Sequence, residues 1–169
     1  MIELLVTMTV GAILMSLAVP AFTSFLRNDR GMTEMSSLAI SLNIARSEAI
    51  KADIPGGVIV CASTDNATCN ATNWSNGWIV INSADLTANK PPLSVTPALP
   101  VGSTLTEASG LGSVVFRSNG RATATANFTL CDVRGVPTAR DVEVNAIGRI
   151  ASSQTLGKKV DGVTALTCP

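Results

Sequence analysis

The chain has 169 residues, enough for one modest domain, and its 12 basic and 12 acidic side chains leave no net charge that would indicate a partner. It contains no histidine and no tyrosine. The usual general base of neutral-pH catalysis and the commonest zinc ligand are therefore missing. Neither a metal site nor a cofactor site is expected, and a membrane-tethered enzyme is the least favoured function.

The first third of the chain has the pattern of one long helix. Residues 4–26 carry no charged side chain, and as a helix they would be about 35 Å long, enough to cross a hydrocarbon core of about 30 Å. Polar residues such as Glu34 then alternate with apolar ones. The sequence Pro55-Gly56-Gly57 should end the helix, which gives a predicted helix from about Ile2 to Ala52. Its second half has an apolar face with spacings of three and four, formed by Met32, Met35, Leu38, Ala39, Leu42, Ala45 and Ala49.

Two residues are unusual in such an apolar segment. Glu3 is an acid at its edge, and Pro20 lies inside it, where it should kink or loosen the helix. A cleaved signal peptide is disfavoured because the chain starts with an acidic rather than a basic region and the helical pattern continues. An ordinary single-span anchor explains the apolar run but not Glu3.

Beyond Gly57 the pattern changes to short β-strands separated by turns. Residues 83–112 are rich in Pro, Ser, Thr and Ala, and are predicted to be a long, poorly ordered connection. The predicted fold class is α+β, with a long N-terminal helix packed on an antiparallel sheet. The predicted division is a hydrophobic helix at 1–26 and a globular domain at 27–169. The predicted strands lie at 58–61, 77–82, 113–117, 126–131 and 140–145, the last leading to Arg149-Ile150.

Four cysteines follow the apolar segment, and they contain no CxxC pair. This arrangement fits two disulfides in an oxidising compartment. Three pairings are open from sequence. The favoured one joins Cys61 to Cys69, closing a short loop, and Cys131 to Cys168, tying the C-terminal tail to a strand.

The N-terminal motif resembles a known superfamily. Met1-Ile2-Glu3-Leu4-Leu5-Val6, followed by Pro20, is similar to the first helix of type IV pilins and type II secretion pseudopilins, in which a glutamate precedes a helix-breaking proline by seventeen residues. Met1 departs from the pattern, because that family usually has Leu there and a different, N-methylated residue at the start of the mature chain. The resemblance implies that Glu3 meets the α-amino group of a neighbouring subunit during filament assembly.

Motifs in the globular part resemble one branch of that superfamily, the GspH/FimT/FimU type. The resemblance implies a non-enzymatic minor pilin or pseudopilin that takes part in initiating or capping a type IV pilus or a type II secretion pseudopilus. Its implied partners are other pilins and, before assembly, the bacterial inner membrane, crossed once with the globular domain in the periplasm. The motifs are Gly77-Trp78-Ile79-Val80, the run from Val115 to Arg121, the run from Phe128 to Asp132, the run from Arg140 to Asn145, and Gly148-Arg149-Ile150.

Some members of this branch bind DNA for natural transformation, which makes DNA an alternative partner. Residues 114–159 contain seven basic and three acidic side chains. The second arginine that such members have after Gly148-Arg149 is missing, and Phe116 and Phe128 are expected in the core rather than stacked on bases. A mildly basic solvated surface is therefore favoured over a DNA site, and Asp141 and Glu143 are expected to be an exposed pair rather than a catalytic one. The candidate DNA-binding residues are Arg134, Arg140, Arg149, Lys158 and Lys159.

Overall fold

The first element of the fold is a single long helix. The computed structural model describes residues 2–169, apart from the side chain of Leu17. Met1, where the N-terminal motif begins, lies outside them. Helix α1 runs Ile2–Ala52, as the sequence predicts. It is continuous through Pro20, so this proline removes one backbone donor without ending the helix.

The two halves of α1 have different surroundings. In the first half the apolar side chains are exposed, for example Leu5 at 64 %, Ile13 at 61 % and Phe22 at 62 %. The helix is long and apolar enough to span a membrane. In the second half the apolar face is covered by the globular domain, with Leu38 and Leu42 fully buried.

The globular domain consists of two antiparallel sheets of four strands each. Their orders are β3-β2-β1-β5 and β4-β6-β7-β8. In the first sheet Val60 lies opposite Val80, and in the second Phe128 lies opposite Val142. A short helix, α2, spans Ser83–Thr87. The strands are β1 Val58–Ala62, β2 Trp78–Asn82, β3 Ser94–Thr96, β4 Ser103–Glu107, β5 Ser113–Phe116, β6 Ala126–Asp132, β7 Arg140–Val144 and β8 Ile150–Ser152.

The core lies between α1 and the two sheets, where four aromatic side chains are fully buried. Trp74 meets Phe128 edge to face, with ring centroids 4.7 Å apart. The indole N–H of Trp78 donates to the hydroxyl of Ser41 on α1 at 3.0 Å, and that of Trp74 donates to the carbonyl of Leu111 at 2.8 Å. Both tryptophans therefore bury a large apolar surface without leaving an unsatisfied donor.

The prediction of a poorly ordered connection at 83–112 is wrong. This segment forms α2, β3 and β4. Strand β4 pairs with β6 along its whole length, but Leu105 is its one apolar residue, so it has no apolar alternation. Glu107, on the same face as Leu105, is buried and accepts hydrogen bonds from the backbone N–H groups of Ser109 and Leu111.

Two predicted positions on α1 are also wrong. Met32 is 56 % exposed, and the buried face begins at Met35 instead. Glu34, predicted on a polar face, is only 9 % exposed. The reason is that the start of β4 covers this turn of the helix, and Ser103 donates its hydroxyl to Glu34 Oε1 at 3.3 Å.

Truncating a buried residue of α1 should destabilise the globular domain. Leu42→Ala removes a fully buried side chain and should lower the free energy of unfolding by about 2–5 kcal/mol. Ile40→Ala, two positions away and 59 % exposed, should change it by no more than about 0.5 kcal/mol. Urea unfolding of the full chain in mild detergent, followed by the fluorescence of Trp74 and Trp78, measures both. Equal effects of the two substitutions would contradict the described packing of α1.

Candidate functional site

The first half of α1 is the most unusual surface of the molecule. From Ile2 to Arg30 every residue whose burial is described is exposed, except Gly11, which is half-buried. A continuous apolar surface of this length is not left in water by a stable protein. Exposed apolar surfaces of this size mark contact sites for a membrane or for other proteins.

Glu3 and Pro20 lie on this exposed half, as the sequence predicts. Glu3 is in the first turn of α1, and Pro20 follows about 26 Å further along the axis. Both side chains are exposed and lie far from the globular domain. Any role of these two residues therefore involves the surroundings of the helix rather than the globular domain.

Both disulfides favoured from the sequence are present. Cys61 of β1 is bonded to Cys69, with their Cα atoms 5.4 Å apart. Cys131 of β6 is bonded to Cys168, with a Cα–Cα distance of 5.9 Å. The second bond fastens the C-terminal tail to the second sheet.

A buried carboxylate holds the same tail from another side. The expectation that Asp141 and Glu143 form an exposed pair is wrong, because Asp141 is only 1 % exposed and Glu143 is half-buried. Asp141 Oδ2 accepts the backbone N–H of Val160 at 3.2 Å, and the Asp141 carbonyl accepts that of Ser153 at 2.9 Å. Burial beneath the tail raises the pKa of Asp141, and the nearby Glu143 charge adds to this effect.

The five candidate DNA-binding residues do not form one patch. Arg140 begins β7, whereas Arg149 follows the far end of that strand, about 17 Å away along it. Arg149 is exposed in a shallow depression that Glu143 also lines. Lys158 donates to the carbonyl of Val163 at 3.0 Å, and Lys159 faces the buried Asp141.

The Gly148-Arg149 motif has a structural explanation in the fold. A Cβ on Gly148, which has a φ of +77°, would collide with the carbonyl oxygen of Gly120. That same carbonyl accepts the Nε–H of Arg46 from α1 at 3.1 Å. The glycine therefore allows two motif segments and the helix to meet at one point.

A cleft of about 210 Å³ lies where α1 enters the globular domain. Two of the arginines that line it, Arg27 and Arg30, come from α1. The sequence analysis did not identify them as site residues, although they are the first cations after the apolar run. Gly31 of α1 faces Arg140 here, and a Cβ on it would lie at an ordinary contact distance of 3.4 Å from Arg140 Nε. We call it the basic cleft, after its arginines Arg27, Arg30, Arg134 and Arg140.

The charges of the basic cleft are only partly compensated. Arg134 pairs with Asp132 at 2.5 Å. Within residues 2–169, Arg27, Arg30 and Arg140 make no salt bridge. The other acid of the cleft is Glu34, and burial raises the pKa of its carboxyl group. The cleft therefore has an excess of positive charge.

The described residues form no metal site. Among residues 2–169 there is no group of three or more His, Cys, Asp or Glu side chains that could hold a metal ion.

A family model described as type II transport protein GspH matches residues 34–148. The chain belongs to the GspH family. The match begins where α1 becomes buried, at Glu34, and ends at Gly148. It therefore covers the helix half and the sheets that form the core, while Glu3, Pro20 and the disulfide-bonded tail lie outside it.

Two crystal structures of the type IV minor pilin FimU from Pseudomonas aeruginosa share the fold of this GspH-family chain. One has a TM-score of 0.58 at 20% identity and covers 78% of this chain and 98% of its own. The other has a TM-score of 0.56 at 20% identity and covers 72% and 90%. The similarity shows that the architecture is the pilin fold. No curated protein sequence matches the chain at a significant level.

Removing the charge of Asp141 while keeping the shape of its side chain should not weaken the attachment of the tail to the second sheet. Because burial raises its pKa, the folded state binds the proton more tightly than the unfolded state, and from about pH 4 upward the ionised form costs stability. Asp141→Asn should therefore be at least as stable as the wild type at pH 7, with a smaller advantage near pH 4. Asp141→Ala should lose about 1–3 kcal/mol because the buried N–H of Val160 loses its acceptor.

Urea unfolding of the full chain in mild detergent at the two pH values measures these differences. A large loss of stability in Asp141→Asn at pH 7, equal to that of Asp141→Ala, would show that the negative charge itself holds the tail.

Proposed function

We propose that this protein is a minor pilin or pseudopilin, a non-enzymatic subunit that joins a type IV pilus or a type II secretion pseudopilus through the first half of α1. One observation carries the proposal: the helix that forms the core of a GspH-family domain continues for more than thirty residues with its apolar side chains exposed. In a filament, the same helix segments of neighbouring subunits would cover that surface.

Before assembly the bilayer covers it. The uncharged residues 4–26 are about 35 Å long as a helix, which suits a single crossing of the inner membrane. The two disulfides of the globular domain fit the oxidising periplasm. We accordingly divide the chain into an anchor at 1–26 and a periplasmic domain at 27–169.

Glu3 has a specific part in this proposal. A carboxylate inside an apolar bundle is costly unless it is paired. The α-amino group of the neighbouring subunit would supply the opposite charge and fix the axial position of the incoming helix. Pro20 removes one backbone hydrogen bond in the same segment, which would let it adjust to its neighbours in the filament.

The protein would act at the start or the tip of the filament rather than along its length.

DNA uptake is the weaker candidate function. The sequence supports DNA binding through the excess of basic residues in 114–159. In the fold, however, Arg149 lies at the far end of β7 from Arg140, and Glu143 lines the same surface depression as Arg149. Four arginines line the basic cleft, which lies beside the anchor.

Removing the carboxylate of Glu3 should block incorporation without affecting the fold. Glu3→Ala should still insert into the membrane because the span becomes more apolar. The subunit should nevertheless be strongly depleted from sheared filaments, since the α-amino group of its neighbour is left uncompensated in an apolar environment. Thr7→Ala, one turn along the same helix, is the matched control and should incorporate normally.

Immunoblots of sheared filaments and membrane fractions measure both steps, with the number of filaments per cell scored in the same cultures. Equal amounts of Glu3→Ala and wild-type subunit in the filaments would leave α1 as a generic anchor and remove the assembly role of Glu3.

A further inference from the structure

The position of the basic cleft relative to the anchor suggests what it binds. Arg27 follows the uncharged run directly, and Arg30 lies one turn later, so both fall within about 6 Å of its end. The headgroup layer of a bilayer is about 5–8 Å thick on each side of the hydrocarbon core. When residues 4–26 span the membrane, these two arginines therefore lie at the depth of the lipid phosphates.

The globular domain adds two more arginines at the same level. Arg134 and Arg140 come from the second sheet and its loop, and they line the cleft opposite Arg27 and Arg30. Arg140 donates to the backbone carbonyl of Asn28 at 3.3 Å, which places its guanidinium beside the helix at the end of the apolar run. Arg134 is held by Asp132, which leaves the planar donors of Arg27, Arg30 and Arg140 on two sides of the cavity. Such donors suit the oxygens of a phosphate group.

The rim of the cleft is suited to a membrane surface as well. Val101 is fully exposed and Val133 is 69 % exposed, and both line the cleft. Exposed apolar tips next to arginines are typical of surfaces that rest in the interfacial layer, with the apolar groups inserted and the cations at the phosphates. Neither valine contributes to the hydrophobic core.

The acidic residues of the cleft do not cancel this preference. Asp132 is occupied by Arg134 and by the hydroxyl of Thr138, which donates to Asp132 Oδ1 at 3.0 Å. Glu34 is buried at the inner end of the cleft, and Glu34 Oε2 has no hydrogen-bond partner among the described residues. Even with Glu34 and Asp132 both ionised, the four arginines leave the cleft with a net positive charge.

We propose that the basic cleft binds the phosphate group of an anionic phospholipid in the leaflet next to the globular domain. The contact would hold the domain against the membrane before assembly and would be broken when the subunit leaves the bilayer. The inference rests on the proposed membrane-anchored state. It adds to that state a binding site with a defined ligand chemistry, a glycerophospholipid phosphodiester with a net negative charge.

The experiment compares lipid retention by the full chain. The protein is extracted from vesicles containing equal amounts of phosphatidylglycerol and phosphatidylcholine, and the lipids that remain bound are counted by native mass spectrometry. The wild type should retain phosphatidylglycerol in preference to phosphatidylcholine. The double variant Arg30→Gln/Arg140→Gln removes two arginines that make no salt bridge within residues 2–169, and it should reduce that preference about tenfold or more.

Two further variants make the result specific. Arg121→Gln/Arg149→Gln removes the same charge from exposed positions outside the cleft and should behave as the wild type. Arg30→Lys/Arg140→Lys keeps the charge but loses the paired donors, and should retain an intermediate preference. Tryptophan fluorescence checks that each variant is folded.

Several results would overturn the inference. These are equal retention of the two lipids by the wild type, or an equal loss in the cleft variant and the charge-matched control. Displacement of the lipid by inorganic phosphate would show a site for the free anion, and displacement by a DNA duplex, sensitive to the same arginines, would show a nucleic-acid site. Flotation of the vesicles separates the two proposals, since a chain that fails to insert contradicts the proposed function, whereas one that inserts without lipid preference contradicts only the basic cleft.

Discussion

Helix α1 carries apolar side chains along its whole length, and the globular domain covers only the part from Met35 onward. The buried part holds the domain together, because both sheets pack on it and Trp78 donates to its Ser41. No described residue of the globular domain covers the exposed part. The fold thus buries one half of a continuous apolar helix and leaves the other half exposed to its surroundings.

This constraint explains why the remaining features are concentrated at the two ends of the domain. At the end beside the anchor, Arg140 of the second sheet contacts α1, and the arginines of the basic cleft lie at the boundary between the two helix halves. At the other end of the buried half, Arg46 on α1 and the glycines at 120 and 148 close the contact between helix and sheets. The tail is fixed separately, by the disulfide to Cys131 and by the buried Asp141.

The sequence was sufficient for features that depend on local pattern. The bounds of α1 follow from apolar periodicity and from the Pro-Gly-Gly sequence after it, and strands rich in Val and Ile were located within one or two residues. Strand β4 was missed because its apolar content is Leu105 alone and its pairing with β6 is a long-range property. Asp141 was wrongly expected to be exposed, because no local pattern could show that the tail covers it. The grouping of Arg140 with Arg27 and Arg30 required the fold, because more than a hundred residues separate them in the chain.

The central claim is that the exposed half of α1 becomes buried among the helices of other subunits. Site-specific photocrosslinking tests it most directly, with a photoreactive residue placed at Phe22 in the exposed half and, as a control, at Val95 on the edge strand β3. In sheared filaments the Phe22 position should form covalent adducts with other filament subunits, with the crosslinked residues lying in their N-terminal helices, while Val95 should form few of these. Phe22 adducts confined to lipid, with none to protein in the filament fraction, would contradict the account and leave this protein as a membrane-anchored domain that does not enter a filament.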